Sequence, residues 1–120
     1  MRIYVGHSAG FDYRKELYEP IKASGLFQQH EIILPHESDA DTQNPRNFYS
    51  TLDLFVAEVS YPSTGLGIEL AWAQDAGRKI LCFHRADKKP SRSIGSVCSD
   101  IKIYKDLEEM IDIIRSAAAN

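Results

Sequence analysis

The 120 residues, 43% apolar and 26% charged, are enough for one domain with a real core and too few for a second. A formal charge of −3 leaves no cationic excess to draw in a polyphosphate backbone, so nucleic acid is not an expected partner. No apolar run approaches the roughly 20 residues that span a bilayer, and MRIYVGHSAG lacks the apolar segment of a signal peptide, so the expectation is a cytoplasmic protein with no membrane partner.

Residues 2–6 read as a short strand followed by the polar turn His7-Ser8-Ala9-Gly10. Tyr13, Leu17 and Ile21, spaced by four, predict a helix that ends at Ser24-Gly25, with Pro20 distorting a turn or ending it early. Residues 31–34 form a second strand closed by Pro35. The polar stretch 36–47, rich in Asp, Asn and Pro, is a long loop of the kind that often carries function, with a short helix expected over 46–52.

The run 54–59 is apolar apart from Glu58 and rich in branched and aromatic side chains, which predicts a strand covered on both faces in the middle of a parallel sheet. In Tyr61-Pro62-Ser63-Thr64-Gly65-Leu66-Gly67, Pro62 fixes a backbone angle, while Gly65 and Gly67 permit conformations or close approaches that a side chain would block. Leu66, Leu70 and Ala73 then follow at helical spacing, giving a helix from near Gly65 to a stop at Gly77. Residues 79–84 are a fourth strand, RADKKPSRSIGSVCSD a second polar loop, and 101–104 a fifth strand. Leu107, Met110, Ile111 and Ile114 mark a closing amphipathic helix with Glu108 and Glu109 in its first turn.

Strand and helix alternate about five times, so the expected class is α/β: a doubly wound, flavodoxin/Rossmann-like parallel sheet of five strands in the order 2-1-3-4-5, with helices on both faces. Ligands of such sheets lie beyond the carboxyl ends of the strands, where the winding reverses between strands 1 and 3. The loops there are HSAGF and SYPSTGLG.

Glu69 falls in the opening turns of the helix that leaves this rim. The helix dipole favours its ionised form while flanking Ile68, Leu70 and Trp72 dehydrate it, and a poorly hydrated carboxylate is a good nucleophile or base. Other chemistries fail on spacing. The last glycine of GxGxxG would fall at Leu70 and Glu69 would repel a pyrophosphate, GxxxxGK[ST] is absent, and Ser63 lies in no GxSxG elbow. His7, His30, His36 and His84 occur singly, and Cys82 and Cys98 lack CxxC spacing, so no metal and no cofactor is expected and both thiols read as ordinary. His7 and His36 read as hydrogen-bonded loop histidines, and Trp72 as core or subunit interface. Glu58 is read as orienting Tyr61 or neighbouring backbone, and Asp53 as beginning a strand.

FVAEVSYPSTGLGIELAWAQDAGRKILCFHR resembles the strand–loop–helix–strand core of the nucleoside 2-deoxyribosyltransferase superfamily, closest to its 2'-deoxynucleoside 5'-monophosphate N-glycosidase branch, and MRIYVGHSAG resembles the family's opening strand and loop. The resemblance implies that Glu69 is the nucleophile attacking the anomeric carbon, with Tyr4 beside it. It implies that Ser63 contacts a 5'-phosphate, that Gly6, Ser8 and Gly10 form the first phosphate-facing loop, and that Gly65 and Gly67 border the substrate. Ser93 is a looser match to a serine that reaches a neighbouring subunit's site, which implies a homodimer or higher homo-oligomer. The implied substrate is a small nucleotide or nucleoside and the implied reaction hydrolysis of its N-glycosidic bond. Transfer to a second base, or nucleotide binding without turnover, are the alternatives. Where the family usually has an aspartate supporting departure of the base, eight residues before Asp53, this chain has Pro45; Asp39, Asp41, Asn44 and His36 are the candidate substitutes, and Arg85 and Arg92 read as surface charge.

Overall fold

The computed structural model describes residues 1–37 and 44–119. Five strands, β1 (Arg2–His7), β2 (Glu31–Ile33), β3 (Leu54–Glu58), β4 (Lys79–Arg85) and β5 (Ile101–Tyr104), pair in the order β2-β1-β3-β4-β5, every neighbour parallel. This is the order the alternating pattern predicts. Each strand deals successive side chains to opposite faces. Ile3 and Val5 of β1 and Leu54 and Val56 of β3 enter one core with α1 (Glu19–Ala23) and α4 (Leu107–Ala119). Tyr4, Phe55 and Ala57 enter a second core, beneath α3 (Thr64–Asp75).

Helix α3 is bounded as its residues dictate. Ser63 caps it, its hydroxyl accepting the Leu66 N–H at 3.2 Å, a contact of the kind worth about 1 kcal/mol. Gly77, at φ 71°, releases the chain into β4. Leu66, Leu70 and Ala73 are the buried face. Register sets Gly6 opposite Ala57 and His7 opposite Glu58, so the loops after β1 and β3 open on the same rim.

Gly6 sets how closely α3 descends on that rim. A Cβ there would stand 2.5 and 2.7 Å from ring atoms of Phe55 and 2.8 Å from a methyl of Leu66. The missing side chain is the space into which the first turn of α3 packs.

The helical stretch after β1 departs from a regular helix where Pro20 predicts it. Pro20 has no N–H to offer the Glu16 carbonyl, and the chain widens just before it into a π turn, Arg14–Tyr18, closed by the Glu19 N–H on the Arg14 carbonyl, before α1 begins. A further short helix, α2 (Leu26–Gln29), follows Gly25 at φ 86°. The segments Arg46–Thr51 and Arg92–Ser96 are 3-10 turns, the first where a short helix is expected and the second inside a stretch read as irregular loop. Among the described residues no helix is long and apolar enough to cross a membrane.

Candidate active site

Tyr4 points from β1 into the core beneath α3. Its ring is buried edge-on to Phe55 at 5.0 Å and to Phe48 and Tyr49 at 5.6 Å each. Its hydroxyl donates to the carboxylate of Glu69, which hangs from the second turn of α3. Burial and the adjacent negative charge hold the phenol well above its usual pKa, so it stays a donor.

Glu69 is half-buried, and the contest between dipole and dehydration is decided for dehydration. Burial pushes its pKa up to about 7, against the lowering effect of the nearby Tyr4 and Tyr49 hydroxyls. The dipole fades within the first turn of a helix, and Glu69 lies beyond it. A carboxyl poised near neutrality, facing two phenols and no countercharge among the described residues, is suited to nucleophilic or acid–base work.

Tyr49 escaped the sequence reading. It sits in the 3-10 turn before β3, fully buried, its ring against Phe48, Phe55, Trp72 and Tyr4. Its hydroxyl makes no well-aligned hydrogen bond, although Glu69, Tyr4 and Asn44 stand close enough to influence its ionisation. Twenty positions separate it from Glu69, and no helical or strand spacing links the two. Of the groups considered for the position of the missing aspartate, Asn44 is the one beside Tyr49; the His36 ring packs on His7 and Tyr13, while Asp39 and Asp41 lie outside the described residues.

Ser63 occupies a different flank of the same helix. Around the sheet-facing line of Leu66 and Leu70, helical spacing turns Ser63 and Gly67 to one side and Glu69 to the other. Ser63, Thr64, Ser91, Ser93 and Tyr61 bring five hydroxyls to a cleft of about 310 Å³ that Gly67 and Ile94 complete. It contains Ser63 and Ser93 of one and the same chain. A Cβ at Gly65 or Gly67 would meet nothing within 4 Å, and neither has a positive φ. Backbone conformation therefore does not require glycine at these two positions; what glycine leaves there is unobstructed access to the start of α3.

The first loop is largely occupied with itself. Gly6 is a packing glycine, and the buried Ser8 accepts the Gly10 N–H on its hydroxyl at 2.9 Å. The Ser8 carbonyl can only accept, so His7 carries its proton on Nδ1, 2.7 Å away, and its Nε2 accepts from the Tyr18 hydroxyl at 2.6 Å. That hydroxyl in turn accepts the His36 N–H at 3.1 Å. Burial lowers the His7 pKa to about 4, leaving a neutral ring that ties the exits of β1 and β2 together.

Other residues singled out in the sequence are placed away from Glu69. Arg85 is paired with Glu16 at 2.7 Å and Asp87 at 3.2 Å, in a cleft of about 490 Å³ on the α4 side of the sheet. Glu58 is buried at the end of β3 and accepts the Ser60 N–H at 2.5 Å, the Ser60 hydroxyl and the Tyr104 hydroxyl, so it orients backbone and not Tyr61. Asp53 accepts the Arg2 N–H at 2.7 Å, pinning the entry to β3. Cys82 and Cys98 are free thiols in the core beneath α3, the Cys98 thiol donating to the Asp100 carbonyl at 3.3 Å. Among the described residues no three His, Cys, Asp or Glu side chains are grouped to hold a metal ion.

No family model and no curated protein matches this chain. The solved structure of Clostridium botulinum CMP N-glycosidase, BcmB, does, over 98% of this chain and 99% of that one, with a TM-score of 0.65 at 21% sequence identity. Likeness at that identity is likeness of fold. The doubly wound sheet that carries Tyr4, with α3 and Glu69 packed over it, thus shares its fold with that structure over 98% of the chain.

Proposed function

We propose that this protein is a nucleoside 5'-monophosphate N-glycosidase with Glu69 as nucleophile. The observation that carries the reading is the Glu69 carboxylate itself, half-dehydrated, faced by two tyrosine hydroxyls and carried on the helix that descends from the rim where a doubly wound sheet binds its ligands. Cleavage of an N-glycosidic bond develops positive charge on the sugar. A carboxylate at C1' stabilises that charge, then bonds to the carbon as the base departs with the electron pair of the C–N bond. Water attacks the resulting glycosyl ester, restoring the carboxylate and releasing sugar 5-phosphate. The 5'-phosphate is assigned to the start of α3, where Ser63, bare backbone at Gly65 and Gly67, and the helix dipole favour an anion without an arginine cluster.

A 2'-deoxynucleotide is the substrate that the sequence resemblance favours, because its sugar cation, lacking the 2'-hydroxyl, is less destabilised. The structural neighbour's description as a CMP N-glycosidase favours a ribonucleotide instead. One panel separates them: incubation with the ribo- and deoxyribonucleoside monophosphates of each base, and with the free nucleosides, followed by chromatography of released base. Release from deoxynucleotides above the matching ribonucleotides and nucleosides is expected. Base release from none of them would end the proposal, and formation of a new nucleoside on adding a second base would redirect it to transfer.

The reaction also has an expected pH signature. The attacking form of Glu69 is the ionised one, present above a pKa of about 7 and lost below it. Accordingly kcat/KM falls close to tenfold for each pH unit below about 7. An acidic limb lying instead near 4.5, the ordinary carboxyl value, would show that Glu69 is solvated in the free enzyme.

A further inference from the structure

We propose that Tyr49 is a positioning residue for the nucleophile: from the 3-10 turn ahead of β3, its buried hydroxyl, which has no well-aligned hydrogen bond, donates to the ionised Glu69 carboxylate alongside Tyr4. The inference rests on the reading of Glu69 as nucleophile and adds to it a group that nothing in the sequence pattern marks.

The ring and the oxygen of Tyr49 call for separate explanations. The ring packs on Phe48 at 5.2 Å, Phe55 at 6.1 Å and Trp72 at 5.8 Å, and a phenylalanine would make each of these contacts. The oxygen adds only cost to such a core, since a buried hydroxyl without a partner loses its water and regains nothing. A buried polar atom left in that condition calls for a reason. The reason at hand is Glu69: of Tyr4, Asn44 and Glu69, which act on this phenol, Glu69 is the carboxyl, and the one such carboxyl among the described residues. Tyr4 approaches Glu69 from β1 and Tyr49 from the 3-10 turn, the two rings nearly perpendicular at 82°. Tyr18, on the π turn before α1, feels the same charge without hydrogen-bonding to it. No cation from any of these elements enters the balance at Glu69.

With two donors from different directions, the carboxylate is confined in angle as well as in charge state. The hydroxyls also have an opposite number in the reaction. When Glu69 becomes a neutral ester, its oxygens accept more weakly, and the phenols relax toward each other or toward Asn44. Tyr49 therefore favours the ionised attacker over the ester and eases its regeneration by water.

The decisive measurement needs no substrate. Carbon-13 NMR of glutamate-labelled protein follows the Glu69 carboxyl through its titration, with Glu69→Gln assigning the signal. In Tyr49→Phe the midpoint moves up by about one unit, the size expected when a charge-assisted hydrogen bond is removed. Fluorotyrosine placed at position 49, a stronger donor in the same packing, moves it down. An unmoved midpoint in both folded variants overturns the proposal. With nucleotide substrate, Tyr49→Phe is expected to lower kcat roughly 10- to 100-fold with KM within about threefold, and to carry the acidic limb of the pH profile upward with the NMR midpoint. Wild-type protein that releases no base would instead sink the functional reading, while the titration would still decide the role of Tyr49.

Discussion

Glu69→Ala is expected to reduce base release by on the order of a thousandfold or more while leaving the fold intact, because in the proposed reaction it removes the atom that bonds to C1' and not a contact that shapes the core. Glu69→Gln keeps the shape and loses the same activity. It has a second expected effect, on stability. The folded protein holds the Glu69 proton up to about pH 7, whereas an unfolded chain releases it near 4.5. Between these values folding takes up a proton, so the wild type loses stability as pH rises through that window and remains short of it above. Glutamine has no charge to bury. Its melting temperature should exceed that of the wild type at pH 8 and nearly match it at pH 5, which thermal unfolding at the two pH values checks. A variant less stable at pH 8 would contradict the burial of an ionised Glu69; wild-type turnover would remove Glu69 from the mechanism.

The second large effect is expected at a residue whose missing side chain is a packing requirement. Gly6→Ala sets a methyl group inside contact distance of Phe55 and Leu66, both buried, and neither has open space to retreat into. Overpacking of this kind costs about 1–3 kcal/mol, a large share of the roughly 5–15 kcal/mol that holds a domain together. The activity should suffer more than the stability does. Leu66 and Glu69 share α3, so a methyl group that lifts Leu66 also moves the carboxylate relative to Tyr4, and displacements near 1 Å can cost about a hundredfold in rate. Urea unfolding and kcat/KM measured on the same preparation check the pair of effects. Full activity in Gly6→Ala would show that the rim adapts and that Gly6 does not set the height of α3.

The sheet was legible in the sequence because each strand is a short, largely apolar run closed by turn residues, and because runs such as 54–57 are apolar on both faces. Pro20 forecast an irregular turn but not that a π turn would result, since proline says which hydrogen bond is lost and not how the chain relaxes. The short helix Leu26–Gln29 has four residues, too few for a 3.6-residue period to register. At the site, Glu69 was visible from the strand–loop–helix punctuation, and Tyr4 from the resemblance. Tyr49 was not. Its segment, RNFYST, has no periodic face, and its proximity to Glu69 depends on how a 3-10 turn lies across α3, which is a tertiary matter. The glycines divided likewise: the sequence marks Gly65 and Gly67 as special, yet it is Gly6 that packing forbids to change.

That Glu69 is steadied by phenols and not by lysine or arginine has a consequence for the conditions under which it works. Attraction between a carboxylate and a partly hydrated cation weakens as mobile ions accumulate around both, the screening length shrinking to about 3 Å at 1 M salt. Two neutral donors in a shell of aromatic rings add no opposite charge whose attraction to the carboxylate counter-ions could screen. The ionisation of Glu69 is therefore expected to shift less with ionic strength than that of a carboxylate held by lysine or arginine.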